Sequence, residues 1–147
     1  MRAFASAVAL LVLLPTASVA GPKEEALQVL EKWAKAFADS DVDAIVKLHA
    51  SDALFMGTAS KSVVTQTAGV RAYFENALLN NRPRGAKLTD YKLLELSDTT
   101  VAVSGLDLLS GVRDGNTFST TGRVTFVIAK RGPDWQIVQF HRSPVPN

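Results

Sequence analysis

The chain changes from helical to strand periodicity at about residue 86 of 147, and this change limits the folds that it can adopt. Within residues 24–37, apolar side chains recur every three or four positions, as on one face of an amphipathic helix. Shorter helices are predicted for residues 41–49 and 70–79, with a short strand at residues 53–56 between them. The first part of the chain is therefore predominantly helical.

Strand-like runs separated by turns follow this helical part. Asp114-Gly115-Asn116 is typical of a tight hairpin, because glycine accepts a positive φ. Three helices followed by an antiparallel meander predict an α+β fold, a cone-shaped roll with three N-terminal helices packed on a curved antiparallel sheet. The interior of such a cone holds either side chains or a ligand. The predicted strands are residues 87–96, 100–112, 117–130 and 135–142.

The N-terminal stretch has the layout of a secretory signal peptide. Arg2 precedes an apolar run at residues 7–14, and Ala20 ends a short small-residue segment. The apolar run is shorter than the ~20 residues that a membrane-spanning helix needs. We therefore expect residues 1–20 to be a signal peptide and residues 21–147 to be one exported domain, periplasmic or secreted, with no membrane attachment after cleavage.

Composition argues against several classes of protein. The chain has 16 basic residues, 14 acidic residues and no cysteine, so no disulfide framework can form. A small net charge with scattered basic residues disfavours nucleic-acid binding. The two histidines are far apart in sequence, so we expect neither a metal site nor a cofactor. His49 is expected to cap the end of the second helix.

Basic residues inside the predicted strands suggest a lined pocket. Regular alternation along residues 135–142 places His141 on the face that begins with Trp135. Arg123 and Thr125 share one face of the preceding strand. If that face lines the cone, the Arg123 guanidinium is suited to binding a carboxylate. The alternative is an outward-facing or structurally paired arginine.

Asp107 lies in an otherwise apolar strand and would need a basic partner when buried. A pair with His141 is a candidate catalytic constellation, and a pair with Arg123 is a structural alternative. Equally, His141 could be a core histidine held by a backbone carbonyl or a tyrosine. Tyr73 and Tyr91 are candidate ligand-binding residues, with core packing as the alternative for both.

Several stretches together resemble a known superfamily. They are Asp41-Val42-Asp43-Ala44, Tyr73-Phe74-Glu75-Asn76, Arg123-Val124-Thr125-Phe126-Val127, and Trp135-Gln136 with Phe140-His141. Their order resembles the nuclear-transport-factor-2-like (SnoaL-like) superfamily, closest to the association (hub) domain of calcium/calmodulin-dependent protein kinase type II and its small bacterial relatives. The resemblance implies a cone fold, self-association through the sheet, and a pocket with polar residues at its base. It supports no kinase activity, because the kinase motifs are missing.

We therefore predict an exported domain that self-associates as a dimer or higher oligomer and binds a small hydrophobic or anionic molecule, with Arg123 and His141 at its anionic or carbonyl end. One alternative is a cofactor-independent SnoaL-like isomerase, dehydratase or hydrolase that uses Asp107 and His141. Another is a pure oligomerisation module with a filled cone. A steroid-isomerase mechanism is disfavoured, because Met56 and Gly57 stand where the resemblance places a general-base carboxylate.

Overall fold

The computed structural model describes residues 20–79, 82 and 84–146, so the predicted signal peptide lies outside the described residues except for Ala20. Three helices precede a four-strand meander, which confirms the α+β prediction. The elements are α1 (Pro22–Asp39), α2 (Val42–Leu48), β1 (His49–Met56), α3 (Thr67–Leu78), β2 (Arg84–Ser97), β3 (Thr100–Arg113), β4 (Asn116–Arg131) and β5 (Asp134–Pro144).

Local signals in the sequence set the helix boundaries. Pro22 opens α1, where its missing N–H costs least. Ser40 ends α1 in the left-handed region with φ of 56°, and the Asp41 carboxylate accepts a 2.9 Å hydrogen bond from the Ala44 N–H at the start of α2. As predicted, His49 ends α2, and its Nδ1 donates to the Ile45 carbonyl at 2.9 Å. None of the helices within the described ranges is long and apolar enough to cross a membrane.

The five strands form one sheet in the order β1-β5-β4-β3-β2. All neighbouring pairs are antiparallel except β1 with β5, which run parallel and bring Phe55 opposite Phe140. These two rings stack with centroids 5.1 Å apart. The face of the sheet that carries them packs against the helices, where Trp33 of α1 and Phe74 of α3 are buried. We call this face inner and the opposite one outer.

A β-bulge in β5 changes which of its residues face inward. Ile137 is opposite Ile128 and Gln139 is opposite Val127, so Val138 is an extra residue on β5. The β5 side chains that face inward are therefore Trp135 and Ile137 before the bulge and Phe140 and Arg142 after it. The predicted regular alternation, which placed His141 on the face of Trp135, is wrong because one bulged residue shifts the alternation by one.

Candidate functional site

The open end of the cone holds a cavity of about 600 Å³, which we call the cone cavity. This volume lies in the range of small-molecule sites. Aromatic rings and arginines dominate its lining, and the described lining residues include no carboxylate, histidine or lysine. The lining residues are Trp33, Phe37, Thr58, Ala59, Tyr73, Phe74, Asn76, Ala77, Arg84, Leu109, Arg113, Phe118, Thr120, Phe140 and Arg142.

A buried ion pair forms the floor of the cone cavity. The Arg142 Nε donates to Asp107 Oδ2 at 2.8 Å, and its Nη2 donates to Oδ1 at 2.8 Å. This is the bidentate geometry in which guanidinium and carboxylate bind most strongly. The side chains are only 7% and 3% exposed, so the pair is shielded from water. The carboxylate cancels the charge of this arginine, and the floor is polar but close to neutral.

Gly122 of β4 makes the ion pair possible, because it lies between the two partners. Gly122 is opposite Asp107 on β3. Arg142 of β5 is opposite Val124, which lies two residues after Gly122 on β4. A Cβ atom at Gly122 would lie 2.4 Å from Arg142 Nη2. The missing side chain therefore leaves the room through which the guanidinium crosses β4 to reach Asp107.

One hydrogen-bond donor of Arg142 remains for a ligand. A guanidinium has five N–H groups. Nε and Nη2 bind Asp107, the second Nη2 hydrogen is within reach of the Thr120 carbonyl at 3.4 Å, and Nη1 donates to Thr58 Oγ1 at 2.9 Å. The second Nη1 hydrogen has no bond among these contacts. Since Arg142 lines the cavity, this N–H is placed to meet a neutral oxygen.

Tyr73 closes one side of the floor. Its ring packs over Gly57, where a Cβ atom would lie 2.2 Å from Tyr73 Cζ. Burial raises the pKa of Tyr73, and hydrogen bonding from the backbone of Ala59 and Thr58 and the charge of Arg142 act in the opposite direction. The phenol therefore stays protonated at neutral pH. It is suited to donate a hydrogen bond and not to remove a proton.

Two further arginines lie at the mouth of the cavity, each over a phenyl ring. The Arg84 guanidinium carbon lies 5.3 Å from the centroid of Phe37, and that of Arg113 lies 5.2 Å from the centroid of Phe118. Burial lowers the pKa of Arg84, and the positive charge of Arg113 lowers it further. Two arginines and two phenyl rings therefore line the mouth.

The basic residues singled out from the sequence lie elsewhere. Arg123 and Thr125 point to the outer face of β4, because Gly122, Val124 and other residues of the same strand alternate inward. Thr125 is opposite His141, which also points outward between two buried neighbours of β5. The structure thus brings Thr125 and His141 together, on the face of the sheet away from the cone cavity.

The predicted Asp107–His141 pair is not formed, and neither is the Asp107–Arg123 alternative. Asp107 is buried as expected for a residue that needs a basic partner, but its partner is Arg142. Of the two tyrosines, Tyr73 lines the cavity. Tyr91 is opposite Gly105 and packs against the core outside the cavity lining.

Sequence reasoning missed most of the lining. Arg142, Arg84 and Arg113 were not among the candidate residues. Gly111 lies between Arg84 of β2 and Phe118 of β4 in a single cross-strand row, and this arrangement becomes visible only once the strand register is known.

A second depression of about 670 Å³ lies between α1, α2 and the β4–β5 turn. Lysines and carboxylates alternate along it, and Lys35 already binds Asp39. Exposed ion pairs of this kind contribute little to stability, and they do not favour a particular ligand or reaction. The cone cavity is therefore the stronger candidate site.

Comparisons with known proteins agree with the observed fold. A candidate calcium/calmodulin-dependent protein kinase II association domain from Xanthomonas campestris has a TM-score of 0.78 and 23% identity over 92% of this chain and 99% of its own. A candidate scytalone dehydratase from Novosphingobium aromaticivorans has a TM-score of 0.76 and 10% identity over 84% of each chain. An NTF2-like superfamily protein from Salmonella enterica has a TM-score of 0.75 and 18% identity over 85% and 92%.

At these identities the solved structures show the fold alone. No protein with curated annotation matches the sequence. The profile of the SnoaL-like domain, in contrast, matches residues 26–147, from the first turns of α1 to the end of the chain. Together with the cone fold, this match identifies the chain as a member of the SnoaL-like domain family.

Proposed function

We propose that the chain binds a small, largely apolar molecule with an anionic or carbonyl end in the cone cavity. The observation that carries this proposal is the lining itself: aromatic rings surround a space of about 600 Å³, and guanidinium groups lie at both its floor and its mouth. The predicted type of ligand is retained, but Arg142, Arg84 and Arg113 take the place of Arg123 and His141.

Binding fits this lining better than proton transfer does. Among the described lining residues, the ionisable groups are three arginines, which are hydrogen-bond donors without an acceptor, and Tyr73, whose pKa is raised by burial. The Asp107 carboxylate lies behind Arg142 and already accepts its hydrogen bonds. An enzyme of the Asp107/His141 type would need these two residues to meet, and they lie on opposite faces of the sheet.

A pair of neighbouring threonines provides a matched test. Thr120 lines the cavity and Thr121, next to it on β4, points to the outer face. With N-phenyl-1-naphthylamine as an apolar probe, we expect Thr120→Phe to weaken binding at least about tenfold by filling the cavity, a loss of about 1.4 kcal/mol. Thr121→Phe should bind the probe like the parent. Equal binding by both variants, with thermal unfolding showing both folded, would refute the cavity as the binding site.

We also propose that the chain self-associates through the outer sheet face. A cross-strand row of Leu94, Ala102, Val127, Gln139 and Leu54 runs across all five strands on this face. Leu94 and Leu54 are 63% and 50% exposed and lie at the two ends of this row, on the edge strands β2 and β1. Burial of such a row against a second copy would remove this apolar surface from water.

Light scattering during size-exclusion chromatography tests this assembly. Leu94→Lys should shift a dimer to monomer, because it places a charge at the β2 end of the buried row. Leu79→Lys is the matched control: Leu79 is equally apolar and 50% exposed, but it follows α3 and lies away from the sheet. A monomeric parent, or equal dissociation by both variants, would contradict the proposed interface.

Export remains a proposal that rests on the N-terminal sequence. Cleavage after Ala20 would leave α1 intact, since this helix begins at Pro22. Expression of the full chain in a Gram-negative host, followed by fractionation and intact-mass measurement, should give a periplasmic or secreted protein that begins at Gly21. A cytoplasmic protein with the mass of the uncleaved chain would contradict the proposal.

A further inference from the structure

The polar groups at the floor of the cone cavity form a hydrogen-bond network that runs in one direction. Asp107 accepts hydrogen bonds from Arg142, and Arg142 Nη1 donates to Thr58 Oγ1 at 2.9 Å. A hydroxyl that accepts such a bond still has one hydrogen of its own to donate. Among the described residues, neither this hydrogen nor the second Nη1 hydrogen of Arg142 has an acceptor. The network therefore ends in two donors on residues that line the cavity.

Tyr73 supplies a third donor at the same place. Burial raises the pKa of Tyr73, while hydrogen bonds from the backbone of Ala59 and Thr58 to the phenol oxygen lower it. An oxygen that accepts these bonds donates its single hydrogen in another direction. The charge of Arg142 also acts on Tyr73, so the guanidinium and the phenol are neighbours. Since both residues line the cavity, their remaining hydrogens are available to a bound molecule.

The turn that carries Thr58 is held in place without a ligand. The Ser60 N–H donates to the Gly57 carbonyl at 2.9 Å, and the Gly57 N–H donates to Ser60 Oγ at 3.0 Å. Outside this turn, two backbone hydrogen bonds of 2.8 and 2.9 Å join Phe55 to Val64. Asp107 fixes the guanidinium of Arg142 in the same way from the other side. Donors that are held before binding lose little conformational entropy when a ligand arrives.

The kind of oxygen that fits this floor follows from its hydrogens and its charge. A carbonyl oxygen has two lone pairs and no hydrogen, so it can accept two of these bonds and brings no donor that needs a partner. A carboxylate could also accept them, but it would place a second negative charge near Asp107, which already balances Arg142. A neutral acceptor therefore suits the floor better than an anion does.

We propose that the floor of the cone cavity recognises a neutral carbonyl oxygen, as in a ketone or quinone with a largely apolar body, through Thr58, Tyr73 and Arg142. This inference rests on the proposed function and adds the chemical group that the ligand presents to the floor. Thr58 and Tyr73 are then specificity-determining residues, and Asp107 is a positioning residue that acts through Arg142.

Benzophenone and diphenylmethane test this inference, because they share two phenyl rings and differ in the carbonyl group that joins them. Their Kd values are measured by displacement of N-phenyl-1-naphthylamine, followed by its fluorescence. Tyr73→Phe removes the phenol hydroxyl and keeps the ring that packs over Gly57. Tyr91→Phe is the matched control, since it makes the same change in a residue outside the cavity lining.

We expect Tyr73→Phe to raise the Kd of benzophenone about three- to tenfold, which corresponds to about 0.7 to 1.4 kcal/mol for one hydrogen bond. The Kd of diphenylmethane should stay within about twofold, and Tyr91→Phe should leave both values within the same limit. Thr58→Val should also weaken binding of benzophenone alone, with Thr121→Val on the outer face as its control. In isotope-edited infrared spectra, the carbonyl stretch of bound benzophenone should have a lower frequency in the parent than in Tyr73→Phe.

The possible failures are distinct. If Tyr73→Phe weakens both compounds equally, the tyrosine contributes packing and not recognition of the carbonyl, and the inference is wrong while the cavity still binds apolar molecules. If Tyr73→Phe and Thr58→Val both bind benzophenone like the parent, or if the carbonyl frequency does not change, the floor does not bind the oxygen. If N-phenyl-1-naphthylamine does not bind the parent, or if neither compound displaces it, the proposed function fails and this inference fails with it.

Discussion

Replacing Asp107 by leucine should destabilise the protein by about 3–5 kcal/mol, because it leaves a buried cation without a partner. Leucine has the same branching and number of side-chain heavy atoms as aspartate, so the change removes the charge and the hydrogen-bond acceptors and enlarges the side chain moderately. Arg142 is only 7% exposed, so the variant would leave its guanidinium charge buried. It would lose three hydrogen bonds of 2.8–3.0 Å to the carboxylate and keep only those to Thr58 and Thr120.

Arg142→Met should cost a similar amount for the complementary reason, since it leaves the carboxylate buried among apolar groups. The double variant Asp107→Leu/Arg142→Met should recover most of the loss and have a stability close to that of the parent, because neither side chain then carries a buried charge. The two single effects are therefore expected to be non-additive by several kcal/mol.

Urea unfolding followed by tryptophan fluorescence measures these differences, with Arg123→Met as the control for loss of an exposed arginine. The control should change the free energy of unfolding by less than about 0.5 kcal/mol. Single variants that each lose less than about 1 kcal/mol would show that water reaches the pair, and the reasoning from burial would be refuted. A double variant as unstable as the sum of the single variants would refute the pairing itself.

Three further outcomes follow from close packing and burial. Gly122→Ala should cost about 1–3 kcal/mol in urea unfolding, because its Cβ would lie 2.4 Å from Arg142 Nη2, and the Arg142→Met background should relieve most of that cost; no relief would contradict the steric cause. Gly57→Ala should be destabilising in the same range through its clash with Tyr73, and Tyr73→Ala should largely remove the difference in thermal unfolding. Burial lowers the pKa of His49, and its bond to a backbone carbonyl offsets this only in part, so stability should decrease as the pH falls below about 6.5, where the unfolded chain takes up the proton more readily. His49→Gln should show a smaller decrease between about pH 7.5 and pH 5.5, and an identical pH dependence would contradict this explanation.

The order and type of the elements could be predicted because their signals are local. Helical periodicity, turn residues and a hairpin signal were sufficient for α1, α3 and the meander. Asp114 and Gly115 do adopt positive φ, 51° and 76°, as the hairpin requires. The parallel pairing of β1 with β5 could not be predicted in this way. It joins segments more than 80 residues apart through packing such as that of Phe55 on Phe140.

The candidate site was predicted only in part, because it depends on strand register. Asp107 was expected to need a basic partner when buried, and Tyr73 was left between ligand contact and core packing. The partner was misidentified because periodicity alone does not reveal an extra residue in a strand, and one extra residue exchanges His141 for Arg142 on the inner face. The mouth arginines, Arg84 and Arg113, become neighbours only through the pairing of β2 with β3.

The bulge at Val138 has a consequence for how a chain of this kind could change its specificity over evolutionary time. Bringing Val138 into the regular ladder, opposite Val127, would restore strict alternation and exchange the two surfaces of β5 beyond it, without a single substitution. The cone would then contain an imidazole in place of a guanidinium, and the outer face would gain a phenylalanine and an arginine. A bulge gained or lost in this strand could in this way convert a site that holds oxygen acceptors into one able to transfer protons.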